Sequence, residues 1–174
     1  AGDTFTLSFT YSGVAPTAAG FGSILMGNRT GTTQYWETLS EPYYAMTWWP
    51  AKENNTDKFT ATIGITVPSA LKACSNGVLT STTALSGSRT KYLWTCNYPI
   101  VTYLVSIGAT NYNQWTATWN YNTTSMPVMF YIWPEQDTAS NRSAAEAVLP
   151  MLTAYSNRFG IYPFSNEKYG IYQF

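Results

Sequence analysis

A chain of 174 residues, 45% of them apolar, is long enough for one domain with its own core and too apolar for intrinsic disorder. Nine Lys and Arg balance nine Asp and Glu, so there is no basic field to attract nucleic acid, and no apolar run is long enough to span a bilayer. Histidine is absent and there are only two cysteines, which excludes Ser-His-Asp and Cys-His nucleophiles, the helical H-E-x-x-H zinc site and paired C-x-x-C zinc ligands.

The chain reads as strands up to about residue 135. DTFTLSFTYSG alternates Phe5, Leu7 and Phe9 with Thr and Ser, the pattern of a half-buried strand ending at Gly13. APTAAGFGS is a Gly- and Pro-marked loop, SILMG a short apolar strand and GNRTGTT a turn, leading into QYWETLSEPYYAMTWWP. In that last stretch Trp48 and Trp49 are expected to put one indole in the core and one at an edge. KFTATIGITVP is the clearest strand: Phe59, Ala61, Ile63, Ile65 and Val67 share one face, and Pro68 ends it. LKACSNGVLTST and SRTKYLWTCNY form the arms of a hairpin about TALSGS. Folding that hairpin about residue 85 sets Cys74 opposite Cys96, a disulfide candidate in an oxidising compartment, with two free buried thiols as the alternative. IVTYLVSIGATNY reads as a strand buried on both faces, and QWTATWNYN and MPVMFYIWP supply two more. Strands with no helix between them predict a mainly β fold, an antiparallel β-sandwich or open sheet.

After Pro134 the composition turns Ala-rich. Ala144, Val148, Leu152, Tyr155 and Phe159 fall on one helical face, with Asp137 and Ser140 as candidate caps. Pro150 predicts a kink or a fresh helix start, and Gly160 a stop. Polarity elsewhere comes from Thr, Ser, Asn and Tyr, a composition expected of secreted or periplasmic β-proteins. Sequons stand at Asn28, Asn54, Asn122 and Asn141.

Three stretches, in order, resemble the zinc aminopeptidases of the aminopeptidase N and leukotriene-hydrolase type. SEPYYAMTWWPAKENNTDKFTATIGITVP (40–68) is similar to the family's S-E-P, W-W-P, acidic loop (here Glu53 and Asp57) and strand ending V-P. CSNGVL…YLWTCNYPIVTYLVSIGATNY (74–112) resembles its S-N-G turn and Y-P-I-x-T-Y-L strand, and FGIYPFSNEKYG (159–170) its entry to the catalytic domain. Ala51 departs from the pattern, standing where the family often has a cysteine.

The resemblance implies that residues 1–136 are part of a β-sheet amino-terminal domain lacking roughly its first half. Residues 137–174 would then be the first helix and following turn and strand of a truncated thermolysin-like catalytic domain. It implies zinc and peptide substrates for the intact parent enzyme, with the remainder of the catalytic domain as partner. No metal ligand and no catalytic residue falls in this chain. Glu41 aligns with the side chain that binds the substrate's free α-amino group, and Lys168 and Tyr169 are expected to brace the interdomain junction. Sheet edges left unpaired by the missing strands predict self-association.

Two other functions compete with the inactive-fragment reading. One is an autonomous binding module for carbohydrate or protein, with Trp115, Trp119 and Tyr121 as stacking faces unless that face packs against another sheet. The other is the scaffold of an inactive peptidase homologue.

Overall fold

The alternating apolar runs form strands wherever a partner edge is at hand. A computed structural model describes residues 4–14 and 23–174, and its strands assemble into three sheets. The first sheet is ordered β1 (Ile24–Asn28), β2 (Gln34–Thr38), β7 (Ile107–Thr110), β4 (Lys72–Ser75), all antiparallel. The second runs β3 (Phe59–Pro68), β6 (Arg89–Ile100), β5 (Val78–Leu85), also antiparallel. In the third, β9 (Thr124–Ile132) pairs antiparallel with β8 (Asn113–Tyr121) and parallel with β10 (Tyr169–Tyr172). Two helices, α1 (Ala139–Glu146) and α2 (Val148–Phe159), separate β9 from β10, which gives that pair the long crossover a parallel connection needs. The mainly β architecture with a C-terminal helical segment is as the sequence predicts.

Two apolar cores lie on either side of the third sheet. Ile65, Val67, Leu71, Ala73, Cys74, Trp94, Ala109, Tyr112 and Tyr131 pack where the three sheets meet. Trp119, Met126, Val128, Phe130 and Leu152 pack between the third sheet and the helices. Period-two alternation along β9 sends Met126, Val128 and Phe130 to the helix side and Tyr131 to the other. β10 alternates likewise: Tyr172 meets the first core, Tyr169 and Ile171 the second.

KFTATIGITVP is a strand with the predicted face turned inward, but five sequence expectations are corrected. Residues 4–14 are not a strand: Phe5, Leu7 and Phe9 are 80%, 67% and 65% exposed. Periodicity supplies a face, whereas a strand also needs an edge to pair with, and no described strand pairs with this segment. The loop APTAAGFGS falls outside the described residues except for Ser23.

IVTYLVSIGATNY is likewise no continuous strand. β6 ends at Ile100, a 3₁₀ turn occupies Thr102–Leu104, and β7 begins at Ile107. The Asn76 side chain donates to Leu104 O (2.9 Å) and accepts from Ser106 N (2.7 Å), so it satisfies backbone groups a ladder would otherwise take.

The cysteine pairing also differs. Gly77, at φ +76°, turns the chain so that β4 leaves the hairpin and pairs with β7, setting Cys74 opposite Gly108. Cys96 lies opposite Ala61, and a register shift between Leu79 and Ser81 moves β5 relative to β6. Both thiols are free and buried, bonded to Gly108 O (3.4 Å) and Tyr98 O (3.3 Å).

On the helices, Val148 and Leu152 face the core as predicted, but Tyr155 and Phe159 point outward and Ser156 is buried in their place. The chain returns over Ser156 after Gly160, Tyr162 N bonding to Ser156 Oγ at 3.3 Å, and only a small residue leaves room for it. Pro150 stands in the first turn of the fresh helix α2, where its missing N–H costs nothing. Thr138, rather than Asp137 or Ser140, caps α1 by accepting from Asn141 N.

Asp137 instead accepts from Arg142 Nη2 (2.7 Å) and Asn113 Nδ2 (2.7 Å), and the Arg142 hydrogen bonds hold its carboxyl at about 2, below the ordinary 3.8. A folded-state value below the unfolded one stabilises the fold above the ordinary carboxylate range and loses that contribution as pH falls through about 2. We therefore expect helical circular dichroism to fall between pH 3.8 and 2 in the native chain. This component of the loss should be absent in Asp137→Asn, and an identical titration of the two proteins would refute the assignment.

Candidate functional site

The segment after β2 is held from several sides. Ser23 and Leu39 exchange backbone hydrogen bonds (3.0 and 3.1 Å), carrying the β1–β2 pairing one step beyond the ladder. Ser40 is buried; its carbonyl accepts from Tyr44 N (3.1 Å) and its hydroxyl from Trp48 Nε1 (3.0 Å). Beyond the turn, Ala45 is fully buried, Met46 N donates to Glu53 Oε1 (2.7 Å), and Asn55 Nδ2 reaches Pro42 O (3.4 Å). Glu41 joins Pro42 through a cis peptide bond.

This clamped turn presents the Glu41 side chain to solvent, with no hydrogen bond or ion pair to any described residue. A carboxylate on a fixed backbone, with all its acceptor sites open, can receive a ligand's N–H donors without first breaking an internal pair. The neighbouring indoles of Trp48 and Trp49 come just after a 3₁₀ turn (Ala45–Thr47), not on a strand, and neither is fully buried. Trp49 packs against Phe59 with ring centroids 5.7 Å apart.

The other residues singled out in the sequence lie elsewhere. Cys74 is buried, and that burial pushes its thiol up to about 12. Trp119 is buried and stacked on Tyr121 (5.4 Å), and its Nε1 donates to Thr153 on α2 (3.0 Å). Trp115 stacks on Phe130 (4.8 Å), donates to Glu146 Oε1 (2.8 Å) and carries Arg142 over its ring (4.6 Å). The two helices therefore cover the aromatic face that a sugar would need, and a second sheet does not.

Lys168 is half-buried, donates to Ser75 O (2.9 Å) and lies 5.1 Å above the Trp94 ring; desolvation lowers its pKa. Glu167 accepts from Asn97 N (2.6 Å). The two side chains tie the segment after the helices to β4 and β6, a structural role. Among the described residues no three His, Cys, Asp or Glu stand together as metal ligands. Sequence reasoning passed over Arg29 and Glu37, which the fold brings to the lining of one cavity. They lie on separate elements with no shared spacing, so no pattern in the sequence joins them.

No family model matches the sequence, and no curated protein matches it. The fold does match solved structures. A two-domain M1 zinc metallopeptidase bound to L-arginine superposes with a TM-score of 0.71 at 23% identity over 84% of this chain. The M1 zinc metallopeptidase from Deinococcus radiodurans gives 0.66 at 24% over 79%. A two-domain M1 zinc metallopeptidase bound to L-tryptophan gives 0.68 at 22% over 90%. The chain spans 33%, 31% and 35% of those three chains, about a third of each.

Proposed function

We propose that this chain is the amine-anchoring part of a zinc aminopeptidase-like protein, inactive by itself, and that Glu41 binds the free α-ammonium group of a peptide. Residues 1–136 are then the β-domain portion and residues 137–174 the opening of the catalytic domain. The observation that carries this reading is Glu41, an unpaired carboxylate held out by a multiply clamped turn, in a fold shared with M1 zinc metallopeptidases. An ammonium group offers three N–H donors, and each charge-assisted bond shielded from water is worth about 1.5–3 kcal/mol. Glu41 works as a ruler: a peptide end reaches it, whereas the middle of a chain has no ammonium to offer. The described residues do not fit a zinc site, so no hydrolytic step is assigned to them.

The test starts from the native source, by capture with an antibody against residues 40–68. The expected species is several times the 19.3 kDa of this chain, contains an H-E-x-x-H peptide and hydrolyses aminoacyl anilides until a chelator is added. In that protein, Glu41→Ala should raise KM about 10- to 100-fold, the loss of one such bond. A native species of 19.3 kDa without chelator-sensitive turnover would sink the reading.

A further inference from the structure

The first sheet carries on one face a cavity of about 280 Å³, whose lining includes Arg29, Tyr35, Glu37, Tyr112, Trp133 and Phe174. Tyr35 and Glu37 are two apart on β2 and so share that face. Trp133 directly follows β9 and Phe174 comes two residues after the end of β10, so the ends of the parallel pair supply the rest of the lining.

The charges do not cancel. The Arg29 guanidinium is bonded to the Glu135 carboxylate through both Nη1 and Nη2, donates to Asn111 Oδ1 (3.1 Å) and lies 4.4 Å from the Trp133 ring centroid. Its charge is compensated within the chain. Glu37 has no hydrogen bond or ion pair with any described residue. Burial raises its pKa, as expected for an anion short of both water and partners. One uncompensated negative charge remains in a wall of four aromatic rings.

We propose that this cavity binds a small organic ammonium ion, with Glu37 as its counter-ion and the rings of Tyr35, Tyr112 and Trp133 as its walls. Aromatic faces attract a cation through their quadrupole, and a carboxylate accepts its N–H donors. The Tyr112 hydroxyl is already committed, donating to Gln173 O (2.7 Å), so its ring is what it offers. An anion would be repelled by Glu37, and a neutral apolar guest would bury the carboxylate unpaired. Gly27 sets the wall: a Cβ there would come 3.1 Å from Tyr35 Cε1, so glycine lets that ring lie against the backbone. The site is built on Glu37 and not on Glu41, and it stands whether or not the peptidase reading holds.

Isothermal titration of the intact chain with isoamylammonium, tetramethylammonium and neutral isoamyl alcohol tests this. Saturable one-to-one binding of both cations is expected, with the alcohol weaker by about tenfold or more. Glu37→Gln, which keeps the shape, should weaken isoamylammonium by about tenfold or more. Tyr35→Leu should weaken tetramethylammonium by about three- to thirtyfold through lost cation–π attraction, and it supplies an independent measurement if the first variant folds poorly. Equal affinity for the alcohol, an unaltered Glu37→Gln, or no saturable binding by either cation would overturn the proposal.

Discussion

Trp94→Ala is expected to lower the stability of the chain by about 3–5 kcal/mol, the range for deleting a large buried ring. Trp94 has no exposed surface and stands opposite Ile63 on β3 and Leu79 on β5, so it fills the middle of the three-stranded second sheet. It also faces the first core and underlies the Lys168 ammonium. Truncation would leave a cavity and take away the ring that partly offsets the desolvation of a half-buried cation. A domain of this size has roughly 5–15 kcal/mol in total, so the variant should melt well below the native chain. Trp94→Phe separates the two contributions. The indole Nε1–H is buried without an acceptor, so phenylalanine keeps most of the ring and removes an unsatisfied donor. It should cost less than about half as much as alanine. Calorimetry of the three proteins decides, and a loss below about 1 kcal/mol for alanine would mean that this core is not what holds the sheets together.

The second large effect is expected at Gly77. Its φ is +76°, and a Cβ there would sit 2.1 Å from Thr95 O, 2.4 Å from Thr95 C and 2.6 Å from Cys96 N. All three atoms belong to the backbone of β6, so no rotamer change relieves the contact. Gly77→Ala must either part β5 from β6 or turn the peptide, and the turn is fixed by the two Asn76 side-chain bonds. Left-handed backbone strain and overpacking together suggest about 2–5 kcal/mol. Gly87→Ala is the control: its φ is +73°, but the nearest neighbour is a movable Arg89 Nε at 3.8 Å, so about 1 kcal/mol is expected. Urea midpoints falling equally for the two variants would show that φ alone, and not contact with β6, makes Gly77 necessary.

These two positions also mark what the sequence discloses. The strand nature of β3, β8 and β9, the fresh start of α2 near Pro150 and the turn at Gly160 were legible because each rests on neighbours in the chain. Which strand pairs with which was not. SNG reads as the start of a hairpin arm, yet Gly77 makes it the point where the chain leaves one sheet for another. Residues 4–14 have the periodicity of a strand without the edge that would make them one. Glu41 was singled out through motif order. Its clamped turn, made by Ser40, Trp48, Glu53 and Asn55, could be seen only once folded. Arg29 and Glu37 share a cavity through sheet register and the return of β10, information that is spread over the whole chain.

β10 has a consequence for how the molecule comes apart. Four residues paired on one side only would ordinarily fray on their own. Here successive side chains enter different cores, Tyr169 and Ile171 one and Tyr172 the other, while Lys168 just before them grips β4. Detaching this strand would open both apolar interiors at once and uncover a half-buried cation. The two interiors are therefore expected to unfold as a single cooperative unit, with one calorimetric transition and no break between the strand-rich and helix-rich parts of the sequence.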